Sequence, residues 1–240
     1  MSDIPERDDG APWRNFYGRR RGKKLRPGQV DLLERRLPEL APPGVAWDEN
    51  PDRKPVDFAA LMPGAREVWL EVGFGGGEHL IAMAKANPEV LLIGCEPFVN
   101  GVAMCLGAHE RAGVENVRIH PGDAREIFDV APEGAFARIF VNYPDPWPKA
   151  RHHKRRFIGE DNLPRLARVA APGGRLHVAS DIRDYIRSSL EAARNEPRFR
   201  WTAERPDDWR RPWADWPGTR YEAKALREGR TPCYLTFERV

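Results

Sequence analysis

From Glu67 onward the apolar residues fall into two alternating rhythms. Short runs rich in aliphatic and β-branched residues recur at EVWLEV (67–72), VLLIGCEP (90–97), VRIHPGDA (117–124, strand plus turn), ARIFVN (137–142) and RLHVASD (175–181). Such runs read as strands buried on both faces. Between them lie segments with apolar residues at helical spacing: EHLIAMAKAN, VNGVAMCLGAHERAG, AREIFDVAP, NLPRLARVAAPGG (162–174) and IRDYIRSSLEAARNE. Gly113 stops the second of these helices, and Gly173 and Gly174 close the fourth. FRWTAERP (199–206) and PCYLTFERV (232–240) supply a sixth and a last strand. Regular alternation of strand and helix predicts an α/β domain, a mainly parallel seven-stranded sheet with helices on both faces. Ahead of it, a short helix is predicted at 29–37, ended by Pro38. APPGVAWDENPDRKP then reads as a linker, and DFAALMPG as cover for one edge of the core.

Ligands of such sheets bind beyond the carboxyl ends of the strands. There the first five predicted strands carry Glu71, Glu96, Asp123, Asp145 and Asp181. The first strand runs into a glycine turn, Gly73-Phe74-Gly75-Gly76-Gly77. Glycine permits positive φ and close approach of backbone to a ligand. The dinucleotide spacing G-x-G-x-x-G fails, because Glu78 stands where the third glycine belongs. Glu71 and Glu78 would also crowd a pyrophosphate with negative charge. They suit a cationic ligand without phosphate such as S-adenosylmethionine. Glu96, about twenty residues after the turn, suits ribose hydroxyls, and Asp123 suits an adenine amino group.

The most distinctive stretch is NYPDPWPKARHHKRRF, residues 142–157. Three prolines at alternate positions forbid helix and predict an extended, stiff exit from the fourth strand. Asp145, Tyr143 and Trp147 sit in that piece, and Lys149, Arg151, Lys154, Arg155 and Arg156 follow at once. An acid and ring faces beside a cationic tract suit a site that grips a base and its phosphates. His152 and His153 lack acid or cysteine neighbours at metal spacing, so no metal is expected.

In total the chain has 240 residues with a net charge of +3, so bulk charge does not announce nucleic acid. The distribution does more. Residues 11–30 hold Arg14, Arg19, Arg20, Arg21, Lys23, Lys24 and Arg26 without an acid, interleaved with Trp13, Phe16 and Tyr17. We read residues 1–28 as a basic N-terminal arm and 29–240 as a single domain. Two basic clusters favour a polyanionic partner. The three scattered cysteines, Cys95, Cys105 and Cys233, read as reduced core residues of a cytoplasmic protein. No stretch is long and apolar enough for a membrane span, and MSDIPERDD is not a signal peptide.

E-x-G-x-G-x-G, the acid after the second strand and the GDA turn resemble the Rossmann-like class I methyltransferases. PDPWPK followed by RHHKRR resembles the signature of the bacterial tRNA (guanine-N7-)-methyltransferase family. Thr219-Arg220-Tyr221-Glu222 resembles that family's T-[KR]-[FY]-E segment. The resemblance runs from about Glu67 to the last strand. It implies S-adenosylmethionine as donor, S-adenosylhomocysteine as product, and a variable-loop guanine, tRNA position 46, as target. Glu71, Gly73, Gly75, Gly77, Glu96, Asp123 and Asn142 would then hold the donor, and Asp145 would be catalytic. Lys149, Asp181, Thr219, Arg220, Tyr221 and Glu222 would contact the substrate, and Arg151, His152, His153, Lys154, Arg155 and Arg156 the RNA. Ala150 stands where many members have a second lysine, and ALREGRTPCY is less glycine-rich than usual there.

Guanine N7 carries a lone pair and no proton, so alignment and electrostatics suffice for its methylation. A fixed carboxylate, Asp145, suits the positive charge that the purine gains. Tyr143 or Trp147 suits stacking on a displaced base. NYPDPW also loosely resembles the N-P-P-Y loops used on exocyclic amines, which keeps an amino-group methyltransferase as an alternative. A non-catalytic RNA-binding module is a second alternative. No obligate protein partner is implied, and either a monomer or a homodimer is compatible with the sequence.

Overall fold

A computed structural model describes residues 16–240; Trp13 and Arg14 of the expected arm lie outside the described residues. The chain runs α1 (Pro27–Arg35), α2 (Leu37–Leu40), β1 (Glu67–Val72), α3 (Glu78–Ala86), β2 (Val90–Cys95), α4 (Val99–Ala112), β3 (Val117–His120), α5 (Ala124–Val130) and β4 (Phe136–Asn142). It continues through α6 (Leu163–Val169), β5 (Ala170–Ser180), α7 (Arg183–Arg194), β6 (Phe199–Trp201), α8 (Asp207–Arg210), α9 (Arg220–Arg227) and β7 (Cys233–Arg239). One seven-stranded sheet has the order β3-β2-β1-β4-β5-β7-β6. β1 to β5 pair in parallel, and β7 inserts antiparallel between β5 and β6. The strand order reverses between β1 and β4, which opens a crevice at their carboxyl ends.

Alternation along the strands sorts the core into two layers. Val68, Leu70 and Val72 of β1 pack with α5, α6 and α7, while Trp69 packs with α3 and α4 on the opposite face. Glu71 follows the parity of Trp69, so its carboxylate is driven into the α3 layer. Over β4, β5 and β7 that layer is closed by rings rather than by a long helix. Phe140, His177, Trp213, Trp216 and Tyr234 form a chain of ring contacts with centroids 4.7–5.8 Å apart. Arg138 joins it, over the rings of Trp69 and Phe140 and ion-paired to Asp215 at 2.5 Å. Cys95, Cys105 and Cys233 are buried and free. Among the described residues no helix is long and apolar enough to cross a membrane.

Three expected boundaries move. Pro27 starts α1 two residues early, and Pro38 lies inside α2 rather than ending a helix. In both helices proline occupies the first turn, where its missing N–H has no partner to lose. The fourth predicted helix stops at Val169, because Ala170 already pairs with Phe136 of β4. A Cβ on Gly174 would lie 2.7 Å from the Ala171 carbonyl oxygen and 3.0 Å from that of Ala137, so the glycine serves a kink in β5, not a helix stop. β6 keeps three residues of the eight expected.

α4 packs directly on the glycine turn. A Cβ on Gly101 would lie 2.4 Å from the Gly75 carbonyl oxygen, and one on Gly77 2.4 Å from Cys105 Sγ. Gly101→Ala must therefore push turn and helix apart. We expect a loss of about 1–3 kcal/mol in urea unfolding, with weaker binding of S-adenosylhomocysteine; unchanged values for both would contradict this packing.

Candidate functional site

The loop after β4 is an arch, not the straight exit that its prolines suggest. Tyr143 and Trp147 both adopt positive φ, 50° and 43°. Each precedes a proline, where the preceding residue normally stays extended. Left-handed geometry at a bulky residue costs about 1–3 kcal/mol and persists only where surroundings enforce it. The enforcing group is Arg156. Its Nε–H donates to the Pro146 carbonyl at 3.0 Å, and Nη1 donates to Ser188 Oγ at 2.7 Å and the Asp184 carbonyl at 3.1 Å. Nη2 pairs with the Asp184 carboxylate, which this bond holds below the usual carboxylate range. The Ile158 N–H donates to the hydroxyl of the fully buried Tyr185 at 3.1 Å. α7 thus clamps the arch from below. Arg156, with its side chain only 2% exposed, is a structural clamp and not the expected RNA contact.

A cavity of about 1200 Å³ opens between the arch and the glycine turn. Gly73, Gly75, Glu96, Asp123, Asn142 and Asp145 line it. Gly73 and Gly75 have φ of 71° and 58°, and a Cβ on Gly73 would project into open space. The polar groups around this rim differ in one respect, whether they already have partners. Glu96 accepts from the Gly75 and Phe98 N–H groups at 2.8 and 2.9 Å, and burial raises its carboxyl pKa. Asp123 caps α5, accepting from the Arg125 N–H at 2.9 Å, and pairs with the Arg125 guanidinium at 2.6 Å. Glu71 does not line the cavity; it pairs with the buried His79 at 2.8 Å. Asp181 also lies outside the cavity, ion-paired to Arg230.

Asn142 and Asp145 stand apart. Asn142 is 8% exposed, and neither its amide oxygen nor its nitrogen has a hydrogen-bond partner. An unsatisfied buried polar group costs about 1–3 kcal/mol, and both polar atoms of this amide are in that state. Asp145 has no ion pair or hydrogen bond among the described residues. The cavity walls raise its pKa by desolvation, while the residue stays open to solvent.

Two covers flank the opening. Thr219 caps α9 by accepting from the Glu222 N–H at 3.1 Å. The Glu222 carboxylate accepts from Trp216 Nε1 at 2.9 Å and from the Tyr234 hydroxyl, and is therefore an anchor. Trp216 in turn lies 5.1 Å from the His79 ring, which links α9 to the Glu71 pair. Held this way, Arg220 reaches Glu78 at 3.5 Å, and Tyr221 alone of the four lines the cavity. The second cover was not foreseen. Residues 16–23 cross the start of α4, with Val99 N–H donating to the Arg20 carbonyl at 3.0 Å. The Asn100 side chain bonds the Gly22 N–H and the Lys23 carbonyl, both at 2.7 Å. The T-x-x-E pattern at 219–222 signals α9 in the sequence; the strap carries no comparable local signal.

The basic tract divides. Lys149, Arg151 and Lys154 are exposed on the outer side of a 3-10 turn, Ala150–Arg155. His152 is half-buried, edge-on to Trp147 at 5.9 Å, and His153 Nε2 lies 3.3 Å from Asp184. Arg155 lies against two rings, 4.4 Å from Tyr17 and 5.0 Å from Trp147.

Comparison with known proteins places this geometry. A sequence family described as "Putative methyltransferase" matches residues 65–235. The tRNA (guanine-N(7)-)-methyltransferase of Ruegeria sp. is 60% identical over 230 residues, covering 96% of this chain and 89% of that protein. That of Ruegeria pomeroyi is 57% identical over 231 residues, covering 95% and 96%. The crystal structure of the 16S rRNA methyltransferase KamB aligns with a TM-score of 0.53 at 17% identity, over 76% of this chain and 92% of that one, a likeness of fold alone. On the full-length sequence match, this chain belongs to the tRNA (guanine-N(7)-)-methyltransferase family.

Proposed function

We propose that this protein methylates N7 of a guanine in tRNA, the variable-loop guanine in the family's pattern, with Asp145 as the catalytic residue. The observation that carries the reading is the pairing pattern at the rim. Just beyond the carboxyl ends of β1 to β5, Glu71, Glu96, Asp123 and Asp181 are engaged, whereas Asp145 has no partner among the described residues and faces the cavity beside a buried amide without partners.

S-adenosylmethionine supplies the electrophilic methyl on a sulfonium and leaves as the neutral thioether S-adenosylhomocysteine. Gly73, Gly75, Glu96, Asp123 and Asn142 line the space that suits it. Glu96 already bonds Gly75 and so fixes the turn before any ligand arrives. Glu71 acts one step back, through its buried pairing with His79. Asp145 needs no proton in this reaction. It stabilises the positive charge that grows on the purine, and its lack of partners leaves the full carboxylate for that task. The exposed Lys149, Arg151 and Lys154 offer phosphate contacts. The buried, unbridged cysteines fit a reducing cytoplasm. We assign residues 1–28 as a basic arm ahead of one domain, 29–240, acting without an obligate partner as a monomer or a homodimer.

Asp145→Ala is expected to lower kcat by two orders of magnitude or more, roughly the scale of a lost electrostatic contact, while S-adenosylhomocysteine titrates normally. Turnover near that of the wild type would refute the assignment. Nucleoside mass spectrometry of the product tRNA should show 7-methylguanosine; a methylated exocyclic amine would favour the amino-group alternative. Stability gives a second check. Desolvation raises the folded pKa of Asp145, so its ionised form disfavours folding at neutral pH, and this effect disappears below the unfolded carboxyl's pKa of about 3.9. Asp145→Asn should therefore raise Tm at pH 7 and leave it unchanged near pH 3. Arg156→Ala should lower Tm and activity together with no change in the salt slope of RNA binding, whereas Arg151→Ala should reduce that slope by about one unit.

A further inference from the structure

At about 1200 Å³ the cavity exceeds the range of about 300–1000 Å³ typical of single small-ligand sites. It has room for two ligands side by side. Beyond Asp145 the outer half is walled by Trp147, Arg155 and, from the strap, Tyr17. The Arg155 guanidinium lies over the Tyr17 ring at 4.4 Å, and Tyr17 meets Trp147 edge-on at 6.1 Å. Arg155 Nε is buried and donates to nothing. The Tyr17 ring meets that guanidinium with its π-face, and Nε finds no acceptor there. A nucleotide has both, a flat base and carbonyl or phosphate oxygens.

Tyr17 has no hydrogen bond among the described residues. It is 37% exposed, and the strap's anchors lie on the far side of it, at Arg20, Gly22 and Lys23 against Val99 and Asn100. Gly22 is wedged against Phe98, where a Cβ would lie 2.9 Å from the ring. The fixed end of the strap is therefore over α4, and among the described residues the ring end is held by its contacts with Trp147 and Arg155.

We propose that the guanidinium plane of Arg155, beside Trp147, is the stacking subsite for the reacting purine, and that Tyr17 fills it in the free protein. This rests on the reading that a tRNA guanine reacts beside Asp145. It changes the role of Arg155 from a phosphate contact to a base platform. RNA then enters by displacing a ring from a place already shaped for one, and the strap stays anchored over the donor side while it does so.

The test uses the full-length protein saturated with S-adenosylhomocysteine and an unmodified tRNA transcript, with affinity read by fluorescence anisotropy. Arg155→Lys keeps the charge and removes the planar face. It should weaken binding by about tenfold, the scale of one lost stack, with the salt slope unchanged. Tyr17→Ala should tighten binding by roughly threefold or more, because a competitor is gone, and Tyr17→Phe should behave as wild type. On a transcript in which the guanine methylated by the wild type is replaced by an abasic nucleotide, the Arg155→Lys effect should vanish. Wild-type affinity for Arg155→Lys, weaker binding by Tyr17→Ala, or an equal Arg155→Lys effect on both transcripts would each overturn the subsite. Failure of the guanine-N7 reading shows separately, in the product nucleoside of the wild type.

Discussion

The site depends on one buried side chain. Arg156 holds the Pro146 carbonyl from inside the protein, and α7 holds Arg156 through Asp184 and Ser188. That grip keeps two residues before prolines, Tyr143 and Trp147, in a left-handed conformation that neither favours. The prolines stiffen the arch, the arginine sets its curvature, and Asp145 is carried at its crest. A flexible loop could place a carboxylate near a purine only for part of the time. This arch fixes the aspartate within the free protein, and the proposed role of Asp145 rests on that preorganisation.

The acids at the strand ends share a position in the topology but not a task. Glu71, Glu96, Asp123 and Asp181 are all engaged within the chain, as is Glu222 of α9. They hold the glycine turn, cap α5 and fasten α9. Of the acids predicted at the strand ends, Asp145 has no partner among the described residues, and it stands beside the unpartnered buried amide of Asn142. Two covers flank the rim, α9 against the glycine turn and the strap over the first residues of α4. One is fastened through Trp216 and Tyr234, the other through Asn100.

Much of this was legible in the sequence. Strand and helix periodicity gave the sheet, because residues buried on both faces leave continuous apolar runs such as VLLIGC. The glycine turn and the PDPWP arch were visible because proline and glycine act on the backbone locally. Partnerships across the fold were not. RHHKRR reads as one cationic tract, yet Arg156 points inward to Asp184, Arg155 stacks and Lys154 faces solvent. Residues 16–23 read as tail because their anchor, Asn100, lies some eighty positions away. Gly173 and Gly174 resembled a helix stop, since the pairing of Ala170 with Phe136 has no local signature.

The central claim is that the free protein already holds its reactive carboxylate in place, beside the donor's seat. A crystal structure of the protein with S-adenosylhomocysteine bound tests it most directly. The account predicts the ligand across Gly73 and Gly75 with its ribose at Glu96, its sulfur directed toward Asp145, and the arch unmoved with Tyr143 and Trp147 still left-handed. A ligand lodged away from the turn, or an arch that relaxes and pairs Asp145 with a cation of the chain, would contradict it.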